Sequence, residues 1–291
     1  MLIVLVLALL PVVVLLAYIY FRDKFQKEPA RVLAKAFLGG LLAAVAVIVV
    51  MSPFPQVISP NAVKNSFYSA FCLAALPEEL FKFLFLYWFI WKNPAFDEYF
   101  DGIVYAVFVS LGFAALENVM YVFNNPSVAF SRAIFSIPGH FLFGVIMGYY
   151  FSLAKFRPQR RLGYLLASYL VAVLAHGIYD FLCFVMEAAS TAGEGLSILF
   201  FFLFIAFDVL LWVVGVKRIK KMGALHICPS CHAELRGNAS YCMYCGTRLS
   251  DNTPRGMVRC PRCHALCAQD AKVCATCGTM LHPSDSIFTV E

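Results

Sequence analysis

The stretch FCLAALPEELFKFLFLYWF, from Phe71 to Phe89, decides how this chain is interpreted. It is long and apolar enough to cross a bilayer, yet it contains Glu78, Glu79 and Lys82. A charged side chain at the bilayer centre costs about 2.5–3.5 kcal/mol on insertion scales, so ionisable groups in membrane helices usually face a bundle interior and mark functional sites. These three residues are therefore the first candidates for catalytic groups.

The spacing of these residues places them on one helical surface. Because a helix turns about 100° per residue, Glu78 and Lys82 lie roughly 40° apart, and Glu79 lies about 100° from Glu78. Pro77 removes the backbone hydrogen bond to Leu73 and predicts a kink there. A second interpretation makes Pro-Glu-Glu the first turn of a helix, with the acids at the positive end of its dipole. It would leave two carboxylates in hydrocarbon, so we favour the functional interpretation.

The whole composition indicates a membrane protein with several spans. Hydrophobic residues make up 62% of the 291 positions and charged residues 14%, against about 45–50% and 25% in soluble domains. Windows of about 20 apolar residues predict seven transmembrane helices. They cover residues 2–21, 33–52, 66–91, 102–123, 132–155, 163–187 and 195–216. The predicted fold class is an all-α polytopic membrane protein.

Basic residues predict the orientation, because short cytoplasmic loops carry the excess of lysine and arginine. One side of the predicted bundle carries Arg22, Lys24, Lys27, Arg31, Lys35, Lys155, Arg157, Arg160, Arg161, Lys217, Arg218, Lys220 and Lys221. The opposite side carries Lys64 and Arg132. We therefore expect the N-terminus outside and the C-terminus in the cytosol. The first span lacks a basic segment before it and a clear cleavage site, so we interpret it as a retained helix.

The fourth predicted span contributes a second acidic group. In the segment GFAALENVMY, Glu117 and Tyr121 are four residues apart and share a helical stripe, and Asn118 lies beside them. The alternative for Glu117 is a buried acid that is satisfied by a local hydroxyl or by Lys82.

The fifth and sixth spans contribute two histidines. His140, Gly144 and Gly148 recur at four-residue intervals, a spacing of small residues that lets neighbouring helices approach closely. Taken alone, such a histidine is equally well a packing residue. His176 and Asp180 are also four apart, so the acid can orient the imidazole and fix its tautomer.

In order along the chain, these motifs resemble those of the PrsW-type intramembrane proteases. They are Glu78-Glu79-x-x-Lys82, Phe113-x-x-x-Glu117-Asn118, the isolated His140 and His176-x-x-x-Asp180. That group is similar in turn to the superfamily of CAAX-prenyl proteases and bacteriocin-processing enzymes. The resemblance covers roughly residues 30–190. Glu117 stands where the wider superfamily has a histidine, which fits the PrsW branch.

The resemblance implies a membrane-embedded endopeptidase in a bacterial-type cell membrane. Such an enzyme makes the first, extracytoplasmic-side cut in a single-span membrane protein, typically an anti-sigma factor. The substrate and the bilayer are thus the expected partners of this part of the chain.

Peptide hydrolysis needs an activated water and a stabilised oxyanion. We expect Glu78 to be the general base with Glu79 as its partner, and Lys82 to balance their charge. His140 and His176 would relay protons or hold the oxyanion, and Asp180 would orient His176. Glu117 and Asn118 complete the predicted catalytic set. A competing version makes His140, His176 and one glutamate the ligands of a catalytic zinc; we favour metal-free catalysis because the chain lacks HExxH.

Two copies of a four-cysteine unit follow the last span. Each has the spacing C-x₂-C-x₁₀-C-x₂-C, which predicts a tandem zinc ribbon with two structural zinc ions and a β-rich fold. The predicted ligands are Cys228, Cys231, Cys242 and Cys245, and then Cys260, Cys263, Cys274 and Cys277. Disulfides or redox pairs are the alternative, which a reducing cytosol disfavours. The predicted domains are the membrane domain, 1–222, and the two ribbons, 226–250 and 258–282.

Ribbons of this kind dock proteins or nucleic acids. We expect a cytosolic protein partner, since the tail's positive charge would be largely cancelled by metal-bound thiolates and gives little support for nucleic acid. For the membrane domain the alternatives to a protease are a proton-coupled transporter and an inactive membrane scaffold. Asp208 in the last span belongs to no motif, and we expect it to be a structural partner of Lys82 or of a histidine.

Overall fold

A computed structural model describes most of the chain. The described residues are 2–23, 27–56, 59, 61–190, 194–228, 230–231, 233–236, 244–245, 257–268, 273–274 and 276–281. The chain divides into two compact units, Met1–Ile227 with Glu234–Arg236, and Cys228–Ala233 with Gly237–Glu291. The domain limits drawn from the sequence stay predictions.

The first unit is a helical bundle. Its α-helices are α1 (Leu2–Arg22), α2 (Ala30–Met51), α3 (Ala62–Phe67), α4 (Leu76–Ile90), α5 (Asp101–Asn124), α6 (Ala129–Ser131), α7 (Ile137–Phe156), α8 (Arg161–Ser190) and α9 (Glu194–Met222). Two π-helical segments interrupt the regular pattern, Tyr68–Ala75 before α4 and Arg132–Ser136 before α7. Each is followed by a helix with a proline in its first turn.

Five helical stretches among the described residues are long and apolar enough to cross a membrane. They are Ala30–Met51, Asp101–Asn124, Pro126–Phe156, Pro158–Ala189 and Gly195–Met222. The chain is therefore mostly helical and built to lie in a membrane. The predicted count of seven stays a prediction, because α1 offers only a shorter apolar stretch, Ala8–Arg22, and the predicted span 66–91 is divided and carries three charges.

Pro77 lies within that divided span. Residues 62–90 are helical throughout, and the segment changes from π to α geometry at Leu76, the residue before Pro77. Because Ala75 and Leu76 are helical, the missing N–H of Pro77 falls inside a continuous helix and not at a free first turn. The predicted kink stays a prediction, and of the two glutamates that follow, Glu79 is fully buried.

Helices α5 and α7 form the centre of the bundle, and 72% of the most apolar window in each is buried. The predicted glycine stripe on α7 brings them together. A Cβ at Gly148 would lie 2.3 Å from the carbonyl oxygen of Gly102 on α5. On the other side of α5, a Cβ at Gly40 of α2 would lie 1.9 Å from the carbonyl oxygen of Val109. No larger residue fits either crossing without moving a helix.

The basic loops gather at one end of the bundle, which we call the basic end and define as residues 22–23, 27–31, 91–101, 155–161 and 217–222. Lys155 Nζ donates to the carbonyl oxygen of Trp91 at 2.7 Å, and Tyr105 OH donates to Glu28. A short antiparallel hairpin, β1 (Leu225–Ile227) with β2 (Glu234–Arg236), packs here. Its Glu234 accepts hydrogen bonds from Tyr99 OH at 2.9 Å and from Arg157 at 3.1 Å.

The second unit contains a second antiparallel hairpin, β3 (Met257–Arg259) with β4 (Leu266–Ala268). Cys260 and Cys263, the first cysteine pair of the second ribbon, lie on the turn between these strands. The backbone N–H of Cys260 donates to the carbonyl oxygen of Ala265 at 2.9 Å. The turn of the second pair is closed by Gly278, whose φ of 71° favours glycine. The predicted β-rich character of the tail is seen in these hairpins.

Candidate active site

The polar centre of the bundle is built around Lys82 of α4. Its ammonium lies 2.7 Å from Glu79 Oε1 and 3.4 Å from Glu78 Oε2. It also lies 4.1 Å from the centre of the Phe113 ring. The i to i+3 and i to i+4 spacing read from the sequence therefore produces real contacts. The charge of this buried ammonium is therefore balanced by nearby carboxylates.

Glu79 joins α4 to α8. Its Oε1 accepts a hydrogen bond from Lys82 and lies 2.9 Å from His176 Nδ1. On its other side, His176 Nε2 lies 3.2 Å from Asp180 Oδ2. The predicted orienting role of Asp180 thus has the contact it needs. His176 is held between two carboxylates that fix the plane of its ring.

His140 joins α7 to α4 and α5. Its Nδ1 lies 3.2 Å from Lys82 Nζ, and its Nε2 lies 2.8 Å from Glu117 Oε2. Since the lysine can only donate, Nδ1 accepts and Nε2 carries the proton toward Glu117. The His140 and His176 rings are 5.4 Å apart between centroids. Neither histidine is a simple packing residue, and Glu117 is satisfied by His140 rather than by a local hydroxyl.

A cavity of about 450 Å³ opens beside these groups. Its lining includes the polar side chains of Glu78, Glu117, His140, His176, Asp180, Tyr121 and Arg132. Glu78 faces this space with a side chain that is 12% exposed, whereas Glu79 is completely enclosed. The two adjacent glutamates therefore have different positions, one toward the cavity and one behind it.

Arg132 is the residue that sequence reasoning missed. Its charge contributes to the predicted orientation, but its side chain lies in the cavity wall, with Nη2 3.1 Å from Glu117 Oε1. Its Nε donates to Asn118 Oδ1 at 2.8 Å, and its guanidinium stacks 4.0 Å from the centre of the Tyr121 ring. The available signal was its position: a single arginine eight residues before His140, on a side nearly free of basic residues.

Two predicted residues lie away from the cavity. Asn118 is buried against α1, where its Nδ2 donates to the carbonyl oxygen of Ala8 at 2.8 Å, and it reaches the site only through Arg132. Asp208 does not contact Lys82, His140 or His176 among the described residues, and its Oδ1 is buried without a hydrogen-bond partner. The expectation that Asp208 pairs with one of them is therefore wrong.

The charges of the cluster leave room for a dication. Its carboxylates are Glu78, Glu79, Glu117 and Asp180, and its permanent cations are Lys82 and Arg132. With both imidazoles neutral, as they would be as zinc ligands, the net charge is −2. One ligand atom each from Glu78, His140 and His176 also lie within 4.8 Å of one another. Two imidazoles and one carboxylate are a common donor set of catalytic zinc sites, so these residues fit a single zinc ion.

The sulfur–sulfur distances of the tail cysteines also fit zinc binding. Tetrahedral zinc with bonds of 2.3 Å to sulfur places the sulfurs about 3.8 Å apart. The Cys260–Cys277 and Cys263–Cys274 sulfur pairs are 3.5 and 3.6 Å apart, far longer than the roughly 2.0 Å of a disulfide. In the first copy, Cys228 and Cys245 sulfurs are 3.6 Å apart and Cys231 belongs to the same group. Cys242, the fourth predicted ligand, lies outside the described residues.

Comparison with known proteins places both parts of the chain. The family of PrsW intramembrane metalloproteases matches residues 28–210, and the double zinc ribbon family matches residues 228–278. The first match covers more than half of the chain and contains all the polar residues of the cavity. The expected resemblance and the tandem ribbon are thus confirmed.

Curated relatives agree with this result. Protease PrsW of Geobacillus kaustophilus is 41% identical over 181 residues, which cover 61% of this chain and 78% of the relative. Protease PrsW of Oceanobacillus iheyensis is 35% identical over 212 residues, 72% of this chain and 92% of the relative. Protease PrsW of Bacillus subtilis is 32% identical over 219 residues, which cover 75% of this chain and 94% of the relative. No solved structure matches the chain. The chain therefore belongs to the PrsW family of intramembrane proteases.

Proposed function

We propose that this protein cuts a single-span membrane protein with a water molecule activated by the Glu78 carboxylate. The observation that supports this is the meeting of acids and imidazoles from α4, α5, α7 and α8 at one cavity. Ionisable groups buried in a membrane bundle are retained at a cost of several kcal/mol unless they are paired. Their convergence on one space is what hydrolysis requires.

Within the pair of glutamates, Glu78 is the general base because it faces the cavity. Glu79 is fully enclosed and holds Lys82 and His176 in place. The Lys82 ammonium balances the charge of both glutamates. His176, oriented by Asp180, lies 4.0 Å from Glu78 Oε2 and can pass a proton or hold the developing oxyanion. His140 and Glu117 form the opposite wall, and Asn118 positions Arg132 behind them.

A metal-dependent version of the same reaction has its own support. The matched family is described as metalloproteases, and Glu78, His140 and His176 are the residues that would hold the ion. A bound zinc ion supplies Lewis-acid polarisation of the scissile carbonyl and a more acidic water. In that version Glu78 is a ligand rather than the base. We favour the metal-free version because the chain lacks the HExxH motif found in many zinc proteases.

The site lies toward the end of the bundle opposite the basic end. Glu117 is near the last turns of α5, which begins at the basic end, and His140 is in the first turn of α7, which ends there. We infer seven membrane crossings, with the N-terminus outside and the basic end in the cytosol, following the distribution of lysine and arginine. The cut is then made in the extracytoplasmic half of the membrane. An anti-sigma factor is the expected kind of substrate.

The zinc ribbons are proposed to dock a cytosolic protein. Two zinc ions would fold them, since units this small have too little core to fold without metal.

Proteoliposomes that contain the full chain and single-span reporter proteins test the proposed function. Wild type should cut within or beside the membrane segment, and His176→Ala should reduce the rate at least about 100-fold, a typical loss for a general acid or base. A proton-sensitive dye in the same liposomes tests the transporter alternative. Proton flux without cleavage would refute the proposal, and a folded wild type with neither activity would favour the scaffold.

A further inference from the structure

The cavity beside the catalytic groups has a volume of about 450 Å³ and is lined by polar and apolar side chains. It therefore has room for side chains of a bound peptide, and the residues beside the cut bond would lie against its wall.

The apolar wall of this cavity includes a row of aromatic rings that begins at His176. The Phe143 ring stacks on the His176 ring with centroids 4.7 Å apart, and Tyr179 lies 5.7 Å from Phe143. Phe204 follows at 4.9 Å from Tyr179, and Phe135 at 5.5 Å from Phe204. All five residues line the cavity. The row thus leads directly away from one of the groups that surround the reacting bond.

Phe204 is the member of this row that belongs to a peripheral helix. It is 4% exposed, whereas Phe202 and Leu203 beside it on α9 are 64% and 46% exposed. The catalytic side chains come from other helices, and the ring contacts of Phe204 are with Phe135 and Tyr179. Phe202 provides the matched control on the same turn.

We propose that Phe135, Phe143, Tyr179 and Phe204 form a side-chain subsite that selects a large apolar residue, such as leucine, methionine or phenylalanine, next to the scissile bond. The subsite deepens the proposed function, on which it rests, by naming the substrate class. Aromatic walls of this kind bind apolar groups and leave polar ones without hydrogen-bond partners. A charged or small residue at that position is therefore disfavoured.

A reporter panel in proteoliposomes tests the subsite. The cut position of one cleaved reporter is mapped by mass spectrometry, and each flanking residue is then replaced by Ala, Asp, Leu, Phe or Trp. Wild type should prefer Leu or Phe over Ala by at least about 10-fold in kcat/KM at one flanking position. Phe204→Ala should raise the ratio of Trp to Leu cleavage about 10-fold or more at that position, since it removes one wall of the subsite. Phe202→Ala should leave the ratio unchanged.

The outcomes separate the subsite from the proposed function. The subsite proposal would be wrong if wild type cut all reporters equally, or if Phe204→Ala left the ratio of Trp to Leu cleavage unchanged. Either result would leave the proposed protease function intact. If Phe204→Ala does not fold, the same ratio is measured for Phe204→Leu and compared with the wild-type preferences. A folded wild type that cuts no reporter would overturn the proposed function and the subsite together.

Discussion

Lys82 Nζ lies 2.7 Å from Glu79 Oε1 in a place where both side chains are almost completely buried. Breaking a buried ion pair by removing one partner typically costs about 3–5 kcal/mol, because the other charge is left uncompensated. We therefore expect Lys82→Met to lower the free energy of unfolding by an amount of that order and to abolish cleavage. Denaturant unfolding in mild detergent measures the first effect.

The double variant Lys82→Met with Glu79→Gln is the control. It removes both charges of the closest pair, so it should regain part of the lost stability without regaining activity. A single Lys82→Met variant as stable as wild type would contradict the buried ion pair.

Arg132 gives a prediction that the sequence motifs did not offer. It contacts Glu117, which in turn contacts His140, so it positions catalytic groups. Arg132→Gln should reduce kcat about 10- to 100-fold, since small misplacements of catalytic groups have effects of this size. Lys64→Gln is the matched control, because Lys64 is an exposed cation on the same side of the bundle. Equal activity of the two variants would show that Arg132 is only a loop charge.

Some of this site was predictable because it is local. The spacing in Glu78-Glu79-x-x-Lys82 and in His176-x-x-x-Asp180 fixes contacts within one helix, and these contacts are present. The glycine stripe of α7 likewise predicts a close helix crossing, and Gly148 provides it.

The rest depends on how the helices cross. The contact of Glu79 with His176 joins residues 97 positions apart, and no pattern in either helix specifies it. The same holds for the contact of Arg132 with Glu117, since Arg132 lies in a π-helical segment that its sequence did not predict. The change of geometry before Pro77 was also hidden, since a proline is compatible with a kink and with a first turn.

The basic end should show a pH-dependent stability that arises from Glu28. Burial, with the nearby carboxylates of Asp23 and Asp97 adding to it, raises the pKa of Glu28 from 4.5 to about 8. The folded protein then binds a proton that the unfolded chain has lost above pH 4.5. Stability from this group is complete below about pH 4.5 and is lost as the pH rises through about 8. The denaturant concentration at the unfolding midpoint should therefore decrease as the pH is raised from 6 to 9.

Glu28→Gln removes this titrating group and should flatten that part of the curve. Glu98, whose pKa burial raises to about 7, accounts for part of the remaining slope. A wild-type midpoint that rises between pH 6 and 9 would contradict the assignment.

The number of zinc ions per chain distinguishes zinc in the ribbons from zinc at the proteolytic site. For the purified full chain we expect two zinc ions, one for each ribbon, and Cys263→Ser should lower the content by about one. Fewer than two ions in wild type would contradict the ribbons. Three ions, with one lost in His176→Ala, would replace the metal-free mechanism by the metal-dependent one.

Replacement of Glu78 by glutamine tests the central claim most directly. Cleavage of a single-span reporter in proteoliposomes is compared for wild type, Glu78→Gln and Asp208→Asn, an intramembrane acid outside the cluster. We expect Glu78→Gln to lose at least about 1,000-fold in rate, within the range for loss of a general base, and Asp208→Asn to remain within a few-fold of wild type. Cleavage by Glu78→Gln at the wild-type rate would contradict the account.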